Sequence, residues 1–192
     1  KEINEISKYS LNNYEDVNIN GNYAKVGNRE YRFTTNSEGE KTWNKITDKQ
    51  KAKQEEVSNA LGINASDYWN NKEEYDYAYD SPANYGISKT IGGYEAFKTY
   101  SKELSDIKSD KDSSGKTISG SRKQKVFDYI NSSNLEFEQK IILAKMEYPS
   151  YDEYNYEIID YLNNNNDISY EEEVEILKKL GFEVDSYGNI SW

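Results

Sequence analysis

Tyrosine is the residue that decides whether this chain can fold. Ile, Leu, Val and Phe together make up 36 of the 192 residues, and 35 acidic against 24 basic side chains give a net charge of −11. So small a share of these strongly apolar residues, together with that net charge, is typical of disordered chains. The 19 tyrosines add large, partly apolar rings that can build a core. We therefore expect a folded chain, long enough for one ordinary domain or two very small ones.

The residues that are missing exclude most classes of enzyme. The chain contains no cysteine and no histidine. Disulfide scaffolds, thiol catalysis, cysteine zinc sites, Ser-His-Asp triads and histidine zinc proteases are therefore excluded. No apolar run approaches the ~18 residues of a membrane span, and no signal peptide is visible. We expect no catalytic residues and no membrane partner.

The first part of the chain predicts a small β-meander. Residues 1–21 show no clear periodicity, so we expect a loose arm. Three short segments follow within residues 22–43, with turns at 27–28 and 36–39, and their period of two is typical of strands. A sheet of this size is marginal alone and must pack on something else.

Two helices are expected after the meander. Thr47 has the spacing of a capping box and begins the first. Ser66 is expected to cap the second, which ends before Pro82. The meander and these helices form a predicted domain over residues 22–81, and residues 82–93 are predicted to be a loop.

The remaining residues predict a compact helical bundle over 94–192 that ends in a β-hairpin. Apolar side chains recur there at spacings of three and four, and the connections are short, which favours antiparallel neighbours. The expected helices begin at Tyr94, Ser121, Asn134, Asp152 and Ser169. The predicted fold class is therefore mostly α (α+β), either as two domains or as one continuous domain over 22–192.

One loop resembles the start of an EF-hand calcium site. Asp110, Asp112 and Ser114 occupy its first, third and fifth positions, Gly115 the sixth, and the carbonyl of Lys116 the seventh. The twelfth position is Ser121 instead of a bidentate glutamate, so any calcium affinity should be weak, and no other cofactor is predicted. The alternative, which we favour, is a solvated loop whose last residue caps the next helix.

Charge is distributed unevenly along the chain. Residues 146–192 carry 12 acidic and only 2 basic side chains, which disfavours nucleic acid as a partner. A basic run over 108–125 is expected to pair with this acidic end. One predicted helix combines carboxylates with nearby tyrosines, the residue types of a glycosidase cleft, although a solvated face is the simpler interpretation. The carboxylates are those of Asp152, Glu153, Glu157 and Asp160.

Several segments resemble a recurring C-terminal segment of large virion-associated proteins from phages and prophages of low-GC Gram-positive bacteria. The similarity spans about residues 65–192 and rests on the stretches Ile118–Ile130, Glu138–Leu143, Tyr156–Leu162 and Ile168–Glu171, and on the ending Leu180-Gly-Phe, Gly188-Asn and Trp192. Those parents are often very long, tape-measure-like or polyvalent proteins. The resemblance implies a terminal module that serves assembly or docking.

The sequence therefore predicts a non-enzymatic, phage-encoded structural domain that mediates protein–protein contacts in virion assembly. Its partners would be other virion proteins or host proteins, and its location the virion or the host cytoplasm. The main alternative is an acidic mimic of nucleic acid that inhibits a host defence protein, with the acids of 146–192 replacing phosphates. A small carbohydrate-active enzyme is the third possibility, supported only by carboxylates and tyrosines.

Overall fold

The structure is a computed structural model that describes residues 5–7, 16–35 and 37–192. Its strands are β1 (Glu5–Ser7), β2 (Val17–Asn20), β3 (Tyr23–Val26), β4 (Arg29–Thr35), β5 (Lys41–Lys45), β6 (Glu183–Val184) and β7 (Ile190–Ser191). Its helices are α1 (Asp48–Leu61), α2 (Ala65–Asn70), α3 (Lys72–Asp80), α4 (Pro82–Thr90), α5 (Tyr94–Asp106), α6 (Ser121–Ser132), α7 (Phe137–Glu147), α8 (Asn155–Asn163) and α9 (Tyr170–Lys179). The contacts divide the chain into two units, one up to Asp80 and one from Ser81.

The first unit is an antiparallel sheet with helices α1 to α3. The strand order is β1-β5-β4-β3-β2. Tyr31 is fully buried and packs with Ala24 and Trp43, and the Phe33 and Trp43 rings lie 4.9 Å apart on paired strands. The expected meander is confirmed. Tyr68, also fully buried, anchors a second cluster beside α1 and α2.

Two expectations for the first unit are wrong. The arm predicted over 1–21 contributes β1 and β2 to the sheet, where they pair with β5 and β3. This pairing satisfies backbone N–H and C=O groups and does not require a periodic pattern of side chains. Its residues 1–4 and 8–15, and residue 36 of a predicted turn, lie outside the described residues. The single helix predicted from Ser66 is two helices, capped by the Asn64 side chain and interrupted at Asn71.

The second unit contains α4 to α9 and the β6–β7 hairpin. The loop predicted over 82–93 is wrong in its first part, since residues Pro82–Thr90 form α4. Pro82 suits the first turn of a helix, where no N–H donor is needed. Gly86, which we expected in that loop, is buried where α4 packs against α9, and a Cβ built there would lie 2.9 Å from Ile176 Cδ1. The glycine permits this close approach.

Helices α5 and α6 begin at Tyr94 and Ser121 as predicted, whereas α7 and α8 begin a few residues later than predicted. The predicted capping box of Ser169 is confirmed, as is the closing hairpin. Gly120 precedes α6 in a left-handed conformation, so Ser121 is the first helical residue and not the cap. Glu136 forms a capping box with Gln139 at the start of α7, where Asn134 was expected. Helix α8 begins at Asn155, three residues after the expected Asp152, whose carboxylate pairs with Lys145 of α7.

The predicted fold class is confirmed. The described residues form an α-helical second unit with a terminal two-stranded hairpin, preceded by a small antiparallel sheet with helices. Among them, no helix is both long enough and apolar enough to cross a membrane.

Candidate interaction surface

Arg122 fixes the framework of the site by joining the ends of three helices. Its guanidinium donates hydrogen bonds to the carbonyls of Leu104 (3.1 Å) and Ile107 (3.2 Å) at the end of α5, where the Leu104 carbonyl also accepts from the Ile107 N–H. It also donates to the Tyr148 hydroxyl (3.1 Å) and pairs with Glu147 (3.3 Å). The start of α6 and the end of α7 are thereby held at the end of α5.

Lys145 holds the segment that follows α7. This lysine is only 1 % exposed, and its Nζ lies 2.9 Å from the Tyr151 carbonyl and 3.1 Å from the Asp152 carboxylate. The hydrogen bond from Lys145 keeps the pKa of the Asp152 carboxyl below its ordinary value. The Nζ also lies 5.1 Å from the ring centre of Phe182. A buried cation with these partners fixes residues 148–154 on the surface of α7.

A row of aromatic side chains lies on this framework, and we call it the aromatic row. It consists of Phe127, Tyr148, Tyr151, Tyr154 and Phe137. Ring centres are 5.5 Å apart for Phe127–Tyr148, 5.2 Å for Phe127–Tyr151, 6.0 Å for Tyr151–Tyr154 and 5.6 Å for Phe137–Tyr154. Several are edge-on contacts, the arrangement that aromatic quadrupoles favour. Phe137 is 56 % exposed, so the row ends in solvent.

A small pocket lies behind the aromatic row. Its volume is about 130 Å³. Its lining consists of Phe127, Ile130, Asn131, Phe137, Lys140, Ile141, Ala144, Tyr151 and Tyr154. The Lys140 ammonium is bonded to the Asn131 carbonyl at 2.8 Å, and aromatic and aliphatic side chains make up most of the remaining lining. The Tyr151 hydroxyl donates to Glu153 at 2.7 Å, and this bond, together with burial, raises the pKa of Tyr151 to about 12. The tyrosine therefore stays neutral.

A larger groove, which we call the acidic groove, adjoins this pocket. Its volume is about 780 Å³. Its lining consists of Phe137, Glu138, Glu157, Asp160, Tyr161, Asn164, Asn165, Asn166 and Asp167. Four of these residues are carboxylates, and none of their side chains forms an ion pair within the described part of the chain. The acidic groove therefore presents uncompensated negative charge.

Tyr161 forms part of the wall of the acidic groove. Its hydroxyl donates to the Thr90 carbonyl at 3.3 Å, and Gln139 donates to the same carbonyl at 3.0 Å. Burial raises the pKa of Tyr161, and the negative charges of Glu138 and Asp167 raise it further. The carboxylates of Glu138 on α7 and of Asp167 in the loop after α8 therefore both lie close enough to raise the pKa of the Tyr161 phenol.

Comparison with protein-family models, with curated proteins and with solved structures finds no match for this chain. The surface must therefore be interpreted from its own residues. Within residues 5–7, 16–35 and 37–192, no three acidic side chains are grouped so as to hold a metal ion.

The predicted calcium loop is closed by its own hydrogen bonds. The Asp112 N–H donates to the Lys116 carbonyl at 2.9 Å, and the Asp112 carboxylate accepts from Ser114 and from the Lys116 N–H. These bonds hold the pKa of Asp112 below its ordinary value. The Asp110 carboxylate pairs with Lys125, and the Ser121 hydroxyl accepts from the Asp110 N–H at 2.8 Å. Weak calcium binding by these residues stays a prediction.

The expected pairing between the basic run and the acidic end is reduced to one ion pair among the described residues, Arg122 with Glu147. Lys125 pairs locally, and Lys123 lies 5.5 Å from the ring centres of Phe127 and Tyr148, within the range of cation–π attraction.

The four carboxylates that the sequence singled out separate into two sets. Glu157 and Asp160 line the acidic groove. Asp152 is bound by Lys145, and Glu153 accepts from Tyr151. The sequence analysis missed Phe137, Glu138, Tyr161 and Asp167 as members of a site. No sequence signal set Phe137 or Glu138 apart, because the exposure of Phe137 and the position of Glu138 in the groove follow from the packing of the helices.

Proposed function

We propose that this chain is a non-catalytic protein-interaction domain of a phage- or prophage-encoded virion-associated protein. The observation that carries the proposal is the aromatic row with its pocket. Protein interfaces are enriched in aromatic side chains, and their strongest contacts form around apolar pockets. The lack of histidine and cysteine, and the resemblance of residues 65–192 to virion proteins, support the same function.

A site-specific crosslinking experiment tests this proposal. A photo-crosslinking amino acid replaces Phe137 in the full chain, and the same group at Tyr187, which is 89 % exposed, serves as the control. Both proteins are irradiated with particles induced from a prophage-carrying low-GC Gram-positive host. We expect one virion protein to crosslink at position 137 and not at 187. Equal or absent crosslinking at the two positions would contradict the proposal.

The non-catalytic part of the proposal has its own measurement. Generic glycoside, nucleic-acid and peptide substrates should be turned over no faster than in buffer. Turnover that is lost when Glu157 or Asp160 is changed to its amide would establish the carbohydrate-active alternative instead.

One observation favours the second candidate, an acidic inhibitor that mimics nucleic acid. The four carboxylates of the acidic groove lack cationic partners among the described residues, so they are free to replace phosphates on a basic protein surface. In that case the chain should protect plasmid DNA from a nuclease in host extract. Inhibition should fall when Glu157 and Asp160 are neutralised.

A further inference from the structure

We propose that the pocket behind the aromatic row and the acidic groove form one docking site for a basic segment of a partner protein. An apolar side chain of that segment would occupy the pocket, and its Lys or Arg side chains would lie along the groove. This inference rests on the proposed interaction function and specifies the chemistry of the partner.

Phe137 is the residue that the two cavities share. It lines both the pocket and the acidic groove, and more than half of its surface is exposed. A cavity of ~150 Å³ holds a group the size of benzene, so a pocket of about 130 Å³ accepts one apolar side chain. A segment anchored there passes directly over Phe137 into the groove.

Charge complementarity selects a basic segment. Several lysine and arginine side chains elsewhere in the second unit pair with other acids, as in Lys89–Glu172 at 2.5 Å, Arg122–Glu147 at 3.3 Å and Lys145–Asp152 at 3.1 Å. The groove carboxylates have no such partner in the described part of the chain. The negative charge of the groove attracts a cationic segment and repels acidic ones, so it supplies specificity and faster association.

The groove also offers groups that recognise a peptide backbone. The Asn166 side chain has no hydrogen-bond partner among the described residues and lies in the wall of the groove. An amide side chain both donates and accepts, as a main-chain N–H and C=O require. Nucleic acid does not fit the same wall, because its phosphates would face four carboxylates.

Unbiased peptide selection on the full chain tests the inference. Random dodecapeptides displayed on mRNA are selected on the immobilised wild-type chain, and the enriched peptides are titrated by fluorescence anisotropy. We expect enrichment of Lys and Arg next to one large apolar residue. Neutralising two groove acids with Glu157→Gln and Asp160→Asn should weaken binding on the order of tenfold. Phe137→Ala should weaken it by a similar factor.

A matched double variant, Glu171→Gln with Glu183→Gln, removes the same charge from exposed positions outside the groove and should bind like the wild type. Thermal melts confirm that each variant is folded. Equal loss in the groove and control variants would mean non-specific attraction and would overturn the inference. So would peptides without basic residues, or no enrichment at all. In those cases a virion protein crosslinked at position 137 would still support the proposed function.

Discussion

The close contact between α4 and α9 can be tested by adding one methyl group. In Gly86→Ala, the new Cβ would lie 2.9 Å from Cδ1 and 3.1 Å from Cγ1 of Ile176. Carbon atoms in proteins normally approach to about 3.5–4.0 Å, so the methyl group overlaps both atoms. Ile176 is fully buried between its neighbours and cannot turn into solvent. Either α4 and α9 separate or Ile176 leaves its preferred rotamer.

The expected free-energy change is the difference of two effects. Alanine is about 1 kcal/mol better than glycine inside a helix. Overpacking a core by one methyl group costs about 1–3 kcal/mol. Gly86→Ala should therefore lower the free energy of unfolding by about 1 kcal/mol. Ile176→Val removes Cδ1, the nearest atom, and alone costs about 1 kcal/mol of unfolding free energy. In the Gly86→Ala background the cost of Ile176→Val should fall to about zero, which is a coupling of ~1 kcal/mol.

Urea unfolding followed by circular dichroism measures all four proteins of this cycle. The slope against urea concentration should stay constant, so that midpoint changes report stability. A Gly86→Ala variant more stable than wild type, or two substitutions whose effects simply add, would refute the packing argument. The glycine would then be incidental to the approach of α4 and α9.

Three further predictions concern charged residues. Glu173 is 8 % exposed, and burial raises the pKa of its carboxyl, so the folded protein loses stability as the pH rises above about 4. Glu173→Gln should therefore raise Tm at about pH 7 and leave it unchanged near pH 4. An equal Tm difference at both pH values would contradict this. Arg122→Met should lower the free energy of unfolding by about 2 kcal/mol in urea, against less than about 1 kcal/mol for Lys123→Met. Calcium to about 10 mM should release no heat on titration; heat that Asp110→Ala abolishes would establish a weak site.

Local signals predicted the elements that local interactions decide. The capping boxes at Thr47 and Ser169 satisfy backbone donors with a side chain three residues away, and both were recognised in the sequence. The pairing of β3 with β4 follows from a two-residue turn and alternating side chains. Each of these features is set within about ten residues of chain, where sequence patterns are informative.

Elements that distant residues decide were missed for a physical reason. Strand β1 pairs with β5 across more than thirty residues, and no periodicity in the arm announces that pairing. Gly86 carries a local cost in a helix, which packing against Ile176 on α9 outweighs. Glu136 caps α7 by forming a capping box with Gln139, the third helical residue, although Ser133 and Asn134, residue types more usual at a cap, precede it.

The candidate surface shows the same division between near and distant residues. Sequence spacing placed Glu157 and Asp160 on one helix, and both line the acidic groove. Glu138 on α7 and Asp167 after α8 also line the groove. Their convergence depends on how α7 packs against α8, which Tyr161 and Gln139 fix by sharing the Thr90 carbonyl. The charge pattern along the chain therefore identified Glu157 and Asp160, and only the packing of the helices shows that they share one groove with Glu138 and Asp167.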